Sequence, residues 1–258
     1  MARKIKYAKC YMCDKDGVTH EHVPPRCLFP EQKDFNVDFR KNLLTVPSCV
    51  DHNSRKSNND EYFMMAISGI VGNNLVGYLL YHTKVQRSLS KKPGFMNKII
   101  KNSMSITHTT DSGVNIPVIK GEPDIARIEA ALMNIIHGLH YHEYGSRLLK
   151  MSVKFVFGFL FHENEKTNTW LQFLKDRFAL EPKKSENIGS NPEVFYYQTV
   201  PADENGLIMF KLTFYEFTEF YAVIMPDTYD PDKTSLGQLF QSGIPVVITL
   251  GGKEYRVK

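Results

Sequence analysis

The hydrophobic positions of the chain change their period near residue 150. Between residues 62 and 85, Phe63, Ile67, Ile70, Val71, Leu75, Tyr78 and Leu79 recur at helical spacing behind Asn59-Asp60, a plausible first-turn cap. Gly69, Gly72 and Gly77 interrupt that run, so the expectation is a broken helix. Residues 91–104, after Pro93-Gly94, read as a second, basic helix. A clearer helix follows Asp124, with Ile125, Ile128, Ala131, Leu132, Ile135, Ile136 and Leu139 on one side and Gly145 as its stop. Beyond residue 150 the pattern turns to strands at 153–161, 193–199, 206–212 and 220–225, rich in aromatic and β-branched residues. A short helix at about 169–179 interrupts them. The chain closes on a hairpin of 246–250 and 253–257 around Gly251-Gly252.

This sequence of patterns predicts an α+β protein in three stretches: residues 1–62, a helical 63–150, and a β-rich 151–258 that is mainly antiparallel sheet with one short helix. The first stretch differs from the others. It is rich in Cys, His, Pro and Asn, its apolar pieces are as short as Leu43-Leu44-Thr45-Val46, and it is too small to build a core of its own. Composition elsewhere is that of an ordinary globular protein, with 42% hydrophobic and 23% charged residues. The basic start Met1-Ala2-Arg3-Lys4-Ile5-Lys6 lacks an apolar run behind it, and no stretch is long enough to span a membrane. The expected setting is therefore cytoplasmic, with reduced cysteines that favour metal over disulfides. Charge is uneven: residues 63–120 hold seven Lys/Arg against one Asp/Glu, within a net charge of +4. Such a stretch suits a phosphate backbone nearby, and equally a solvated helix face.

One Cys-Cys pair and one Cys-His pair carry the chemistry. Cys10-x-x-Cys13 and Cys49-x-x-His52 have the spacing of zinc knuckles, and the 35 residues between Cys13 and Cys49 leave room for a hairpin. Together they fill the four tetrahedral places of a closed, structural zinc site. Cys27 is left over and reads as a small buried or free thiol.

Within the knuckles lie His20-Glu21-His22-Val23-Pro24-Pro25, Asn42-Leu43-Leu44-Thr45-Val46-Pro47 and Asn53-x-x-Lys56. In this combination residues 8–63 resemble the HNH endonuclease family, also called His-Me finger or ββα-metal nucleases. The resemblance implies a zinc-stapled ββα finger and a metal-dependent hydrolase cutting phosphodiester bonds, with DNA the preferred substrate and 5′-phosphate and 3′-hydroxyl products. It makes His22 the general base and Glu21 and Asn53 the ligands of one catalytic Mg2+ or Mn2+, which stabilises the leaving 3′ oxygen. Asn42 would hold the base-bearing loop, and Lys56 would reach a phosphate. Two positions depart from the usual pattern: His52 stands where cysteine is frequent, and Glu21 where aspartate or histidine is commoner. Strand alternation puts Glu21 and His22 on opposite faces, so the pair is expected at a strand end, near Pro24-Pro25.

Other candidates weigh less. His20 reads as an outer-layer or zinc-adjacent residue. His137, His140 and His142 fall near a helix C-terminus, where the dipole favours histidine, so a structural or solvated role precedes a second metal site. Phe155, Phe157, Phe159 and Phe161 alternate as one strand face would and suit core packing. Bacterial proteins of the resembled family with large extra regions often look like effectors of phage defence or restriction. The C-terminal stretch would then recognise a protein partner or ligand, and an oligomer is compatible with the sequence. The alternative is a zinc-stapled nucleic-acid or protein-binding module without catalytic activity.

Overall fold

A tight reversal comes first. Lys9 and Asp16 form an antiparallel bridge and the Cys10 N–H donates to the Lys15 carbonyl, which puts Cys10 and Cys13 on one knuckle. The computed structural model describes residues 8–54, 56–91, 100–109, 112–160, 164–180, 187–230, 246–250 and 252–257. Strands β1 (Thr19–His22) and β2 (Thr45–Ser48) pair antiparallel, with Glu21 opposite Val46 and His22 opposite Thr45. Between them lie a 3-10 turn (Arg26–Leu28) and the short α1 (Gln32–Phe35). Strand β2 runs almost directly into α2 (Val50–Ser54), which carries His52 and Asn53.

The next run is a broken helix, as its glycines require. It comprises α3 (Ser57–Ser68), α4 (Leu75–Leu80), a π-helical turn (Tyr81–Val85) and α5 (Gln86–Lys91). Asn74 restarts it: its side-chain oxygen accepts from the N–H groups of Val76 and Gly77. Helix α3 begins at Ser57, so Asn59-Asp60 does not cap it; Asp60 lies inside the helix and is buried.

The basic helix expected over 91–104 does not include residues 100–104. Residues 92–99 lie outside the described part, and Ile100–Thr109 is strand β3, paired antiparallel with β4 (Asn115–Pro123). Its Met104, Ile106 and His108 alternate with Ser103, Ser105 and Thr107, a period of two that finds a partner strand, and pairing overrides the lysine content.

Helix α6 (Ile125–Tyr144) follows the sequence pattern closely. The Asp124 carboxylate accepts from the Arg127 N–H, and Gly145 ends the helix at φ 63°. After it come β5 (Met151–Phe157), α7 (Glu165–Leu180), β6 (Ile188–Asn191), β7 (Phe195–Val200), β8 (Ile208–Phe214) and β9 (Thr218–Pro226). The five strands form one antiparallel sheet in the order β5-β9-β8-β7-β6. Hairpin β10 (Val246–Leu250) and β11 (Lys253–Val257) pairs Leu250 with Lys253 and so leaves the anticipated two residues between them.

Both sheet faces are covered, which explains the near-continuous burial of β8. On one face Phe63 of α3 meets Phe214 and Phe220 at ring distances of 5.4 and 5.8 Å. On the other, Leu171, Leu174 and Phe178 of α7 pack with Met209 and Tyr221. Phe157 is buried in the first of these cores, with Phe155 and Phe159 packed against it; Phe161 lies outside the described residues. Tyr11, Leu28 and Val46 of the first stretch belong to the same core as Phe210 of the sheet, so the three stretches pack as one body. No described helix is long and apolar enough to cross a membrane.

Candidate metal centre

The knuckle residues converge as their spacing implies. The ligand atoms of Cys10, Cys13, Cys49 and His52 all lie within 4.8 Å of one another. Sulfur to sulfur, Cys13 and Cys49 are 3.8 Å apart, and the His52 Nδ1 stands 3.5 Å from the Cys10 sulfur and 3.3 Å from that of Cys49. A zinc tetrahedron with bonds of ~2.3 Å to sulfur and ~2.0 Å to nitrogen has edges of about 3.8 and 3.5 Å. The four side chains therefore fit a metal such as zinc, and 3.8 Å between sulfurs is far from a disulfide. Burial raises the Cys10 thiol, but the N–H groups of Met12, Cys49 and Cys13 and the His52 ring outweigh it and bring the thiol down to about 6. A thiolate is the form a metal needs. A metal held by all four would have no open position and would fix the first knuckle to α2. Cys27 is not part of the cluster: its thiol donates to the Asp60 carbonyl at 3.4 Å and burial pushes it up to about 12.

Strand β1 divides the remaining candidates between two faces. Glu21 points inward and is 6% exposed, with its carboxylate 3.1 Å from the Lys56 ammonium, which is itself 4.0 Å from Asp60. Lys56, expected from the sequence to reach a phosphate, is thus buried against Glu21. A single ammonium serves two buried carboxylates, so neither is fully relieved of its desolvation. Burial raises Glu21 against the pull of Lys56, and it pushes Asp60 up to about 6.

His22, the last residue of β1, lies on the opposite, half-buried face. Burial lowers its pKa, and the charges of Arg26, Lys56 and Arg40 lower it further. His20 shares that side two residues earlier and is exposed; its carbonyl accepts from the Asn53 side-chain amide at 3.4 Å. That contact lays α2 across β1 and leaves the Asn53 Oδ1 as the remaining acceptor. Of the two residues expected to hold a divalent ion, Glu21 is thus paired with the Lys56 ammonium.

Asn42 is exposed, in left-handed conformation (φ 55°), two residues before Leu44, whose carbonyl accepts from the Val23 N–H. It faces Val23-Pro24 across a cavity of about 450 Å³. The sheet edge holds it: Ser190 and Asn191 of β6 donate to the carbonyls of Asn42 and Lys41 at 2.9 and 3.2 Å. Helix α6 supports the same loop from behind, with Gly138 against Val23. Of the late histidines, His140 is buried with Nδ1 3.0 Å from the Ser146 carbonyl, His142 is exposed, and burial pushes His137 down to about 4. Among the described residues they form no metal cluster.

Arg26, Arg40 and Gly138 are not singled out by the sequence, and Asp60 only as part of a helix cap. Asp60 stands four residues after Lys56, a helical ion-pair spacing that a charge count along α3 can find. The approach of Arg40 and Gly138 is long-range and has no local signal. Compared with models of protein families, with curated proteins and with solved structures, the chain matches none.

Proposed function

We propose that the protein is a nuclease in which His22 removes a proton from the water that attacks a phosphodiester. The observation that carries this reading is the setting of His22. It ends a strand whose partner leads straight into the helix of the Cys/His cluster, and burial and the charges of Arg26, Lys56 and Arg40 all lower its pKa. A histidine kept neutral by burial and by positive neighbours can accept a proton, and the same positive charge attracts the phosphate. Arg26, exposed beside His22, suits the phosphate contact better than the buried Lys56. Zinc at Cys10, Cys13, Cys49 and His52 would hold β2 and α2 in register with the first knuckle, and through them Asn53 and His22. DNA is the substrate we favour, as the resemblance to HNH endonucleases implies.

A second reading has its own support. Glu21 is the carboxylate expected to hold Mg2+ or Mn2+, and here it is neutralised by Lys56, as in a zinc-stapled binding module without catalysis. Incubation with supercoiled plasmid, single-stranded DNA and RNA, with Mg2+, Mn2+ or chelator, separates the two. Cutting by wild type and loss in His22→Ala and Asn53→Ala supports the nuclease. Binding without cutting under every metal supports the module, and cutting in chelator removes only the divalent ion from the proposal.

A further inference from the structure

At the end of α3 far from Lys56 lies a second cavity, of about 530 Å³, walled by the last turn of α3, the π-helical turn and hairpin β3–β4. Three features set it apart from a packing defect. Its described lining contains no Asp, Glu, Lys or Arg, and Tyr78, Tyr81 and His82 supply aromatic wall. The His82 ring is 4.3 Å from that of Tyr78 and 5.3 Å from that of Tyr81. Tyr81 packs closely against Gly69, where a Cβ would come within 2.9 Å of the ring.

The second feature is polar. Ser68 lines the cavity, is 1% exposed, and its hydroxyl has no hydrogen-bond partner. A helical serine ordinarily bonds back to the carbonyl four residues earlier, and an unpaired buried hydroxyl costs about 1–3 kcal/mol. The third is the π-helical turn, a departure from α-helical bonding that recurs at functional sites and here contributes Tyr81, His82 and Val85 to the wall.

We infer that this cavity binds an uncharged planar heteroaromatic molecule, its ring against Tyr78, Tyr81 and His82 and its polar edge hydrogen-bonded to Ser68. Size and lining match small-molecule sites, which are mostly apolar with a few placed polar groups. Charged ligands are disfavoured, because nothing in the described lining neutralises a charge. Ile100, Ser105 and Val118 belong to the β3–β4 hairpin, so an occupant would join the hairpin to the helices. The inference stands apart from the nuclease reading, since none of the residues around His22 takes part.

Calorimetric titration of the full chain with quinoline tests it, with cyclohexanol and naphthalene-1-sulfonate as non-aromatic and charged controls. Saturable quinoline binding is expected, at least tenfold tighter than either control. Ser68→Ala should weaken it about fivefold, the worth of one hydrogen bond, and Ala66→Phe should abolish it by filling the space. Absence of saturable binding to folded wild type, binding unchanged in both variants, or equal binding of cyclohexanol overturns the inference. Should Ala66→Phe fail to fold, the Ser68→Ala comparison decides.

Discussion

His22 and Glu21 are neighbours in the chain, yet β1 turns them to opposite sides and gives them opposite electrostatics. His22 meets cations and is kept neutral below its ordinary value of 6.5. If it is the base, cleavage should persist into mild acid, with the acid limb of the rate–pH profile centred below 6.5. Arg26→Ala removes one cation and should move that limb upward; a limb at or above the ordinary value, unmoved by the variant, contradicts the assignment. On the inner side, Asp60 is raised from 3.8 to about 6. The folded chain then holds this proton more tightly than the unfolded chain, so Asp60 helps stability most below about pH 4. That help is lost as pH rises through 6. Asp60→Asn should therefore stabilise the protein at pH 8 by roughly 1–3 kcal/mol, and by less at pH 5, in urea unfolding with zinc present. Destabilisation at both values would show that the ion pair with Lys56 outweighs burial.

At the scale of elements, helix α6 is the best example of what the sequence discloses. Its apolar stripe, Asp124 cap and Gly145 stop are all local signals, and all three hold. The zinc ligands were equally legible, because two short spacings specify one tetrahedron. Hairpin β3–β4 was not, since its lysines and exposed positions carry a weak pattern and the pairing lies between residues up to 23 apart. The burial of Lys56 is hidden for a related reason: its partner Glu21 stands 35 residues earlier in the chain, a pairing that no local signal discloses. Gly138 shows the same limit. Within α6 an alanine would raise helix propensity by up to about 1 kcal/mol, but its Cβ would stand 2.5 Å from Val23, the residue after His22. Overpacking of that kind costs about 1–3 kcal/mol. Gly138→Ala should thus lower the melting temperature and cut cleavage about tenfold or more with zinc content unchanged. A more stable, fully active variant would remove α6 from the support of the loop.

The whole molecule is organised around one core that reaches from the knuckles to the sheet. Strand β6 grips the Asn42 turn, α6 backs Val23, and α3 carries Lys56 to Glu21 at one end and Ser68 to the second cavity at the other. The Cys/His cluster lies at the knuckle end of that core, to which Cys10 and Cys49 themselves belong. Elemental analysis should find about one zinc per chain, lost on Cys10→Ser, with unfolding of the first stretch, because binding energy here is folding energy. A zinc-free protein with that stretch folded would contradict it.

The most direct measurement of the central claim is the single-turnover cleavage rate of zinc-loaded wild type and His22→Ala on plasmid DNA, with DNA binding measured on the same samples. The account predicts equal binding and a rate lowered about 10²-fold or more in the variant, the usual worth of a general base. Equal rates, or wild type that binds but does not cut with any metal, would contradict it.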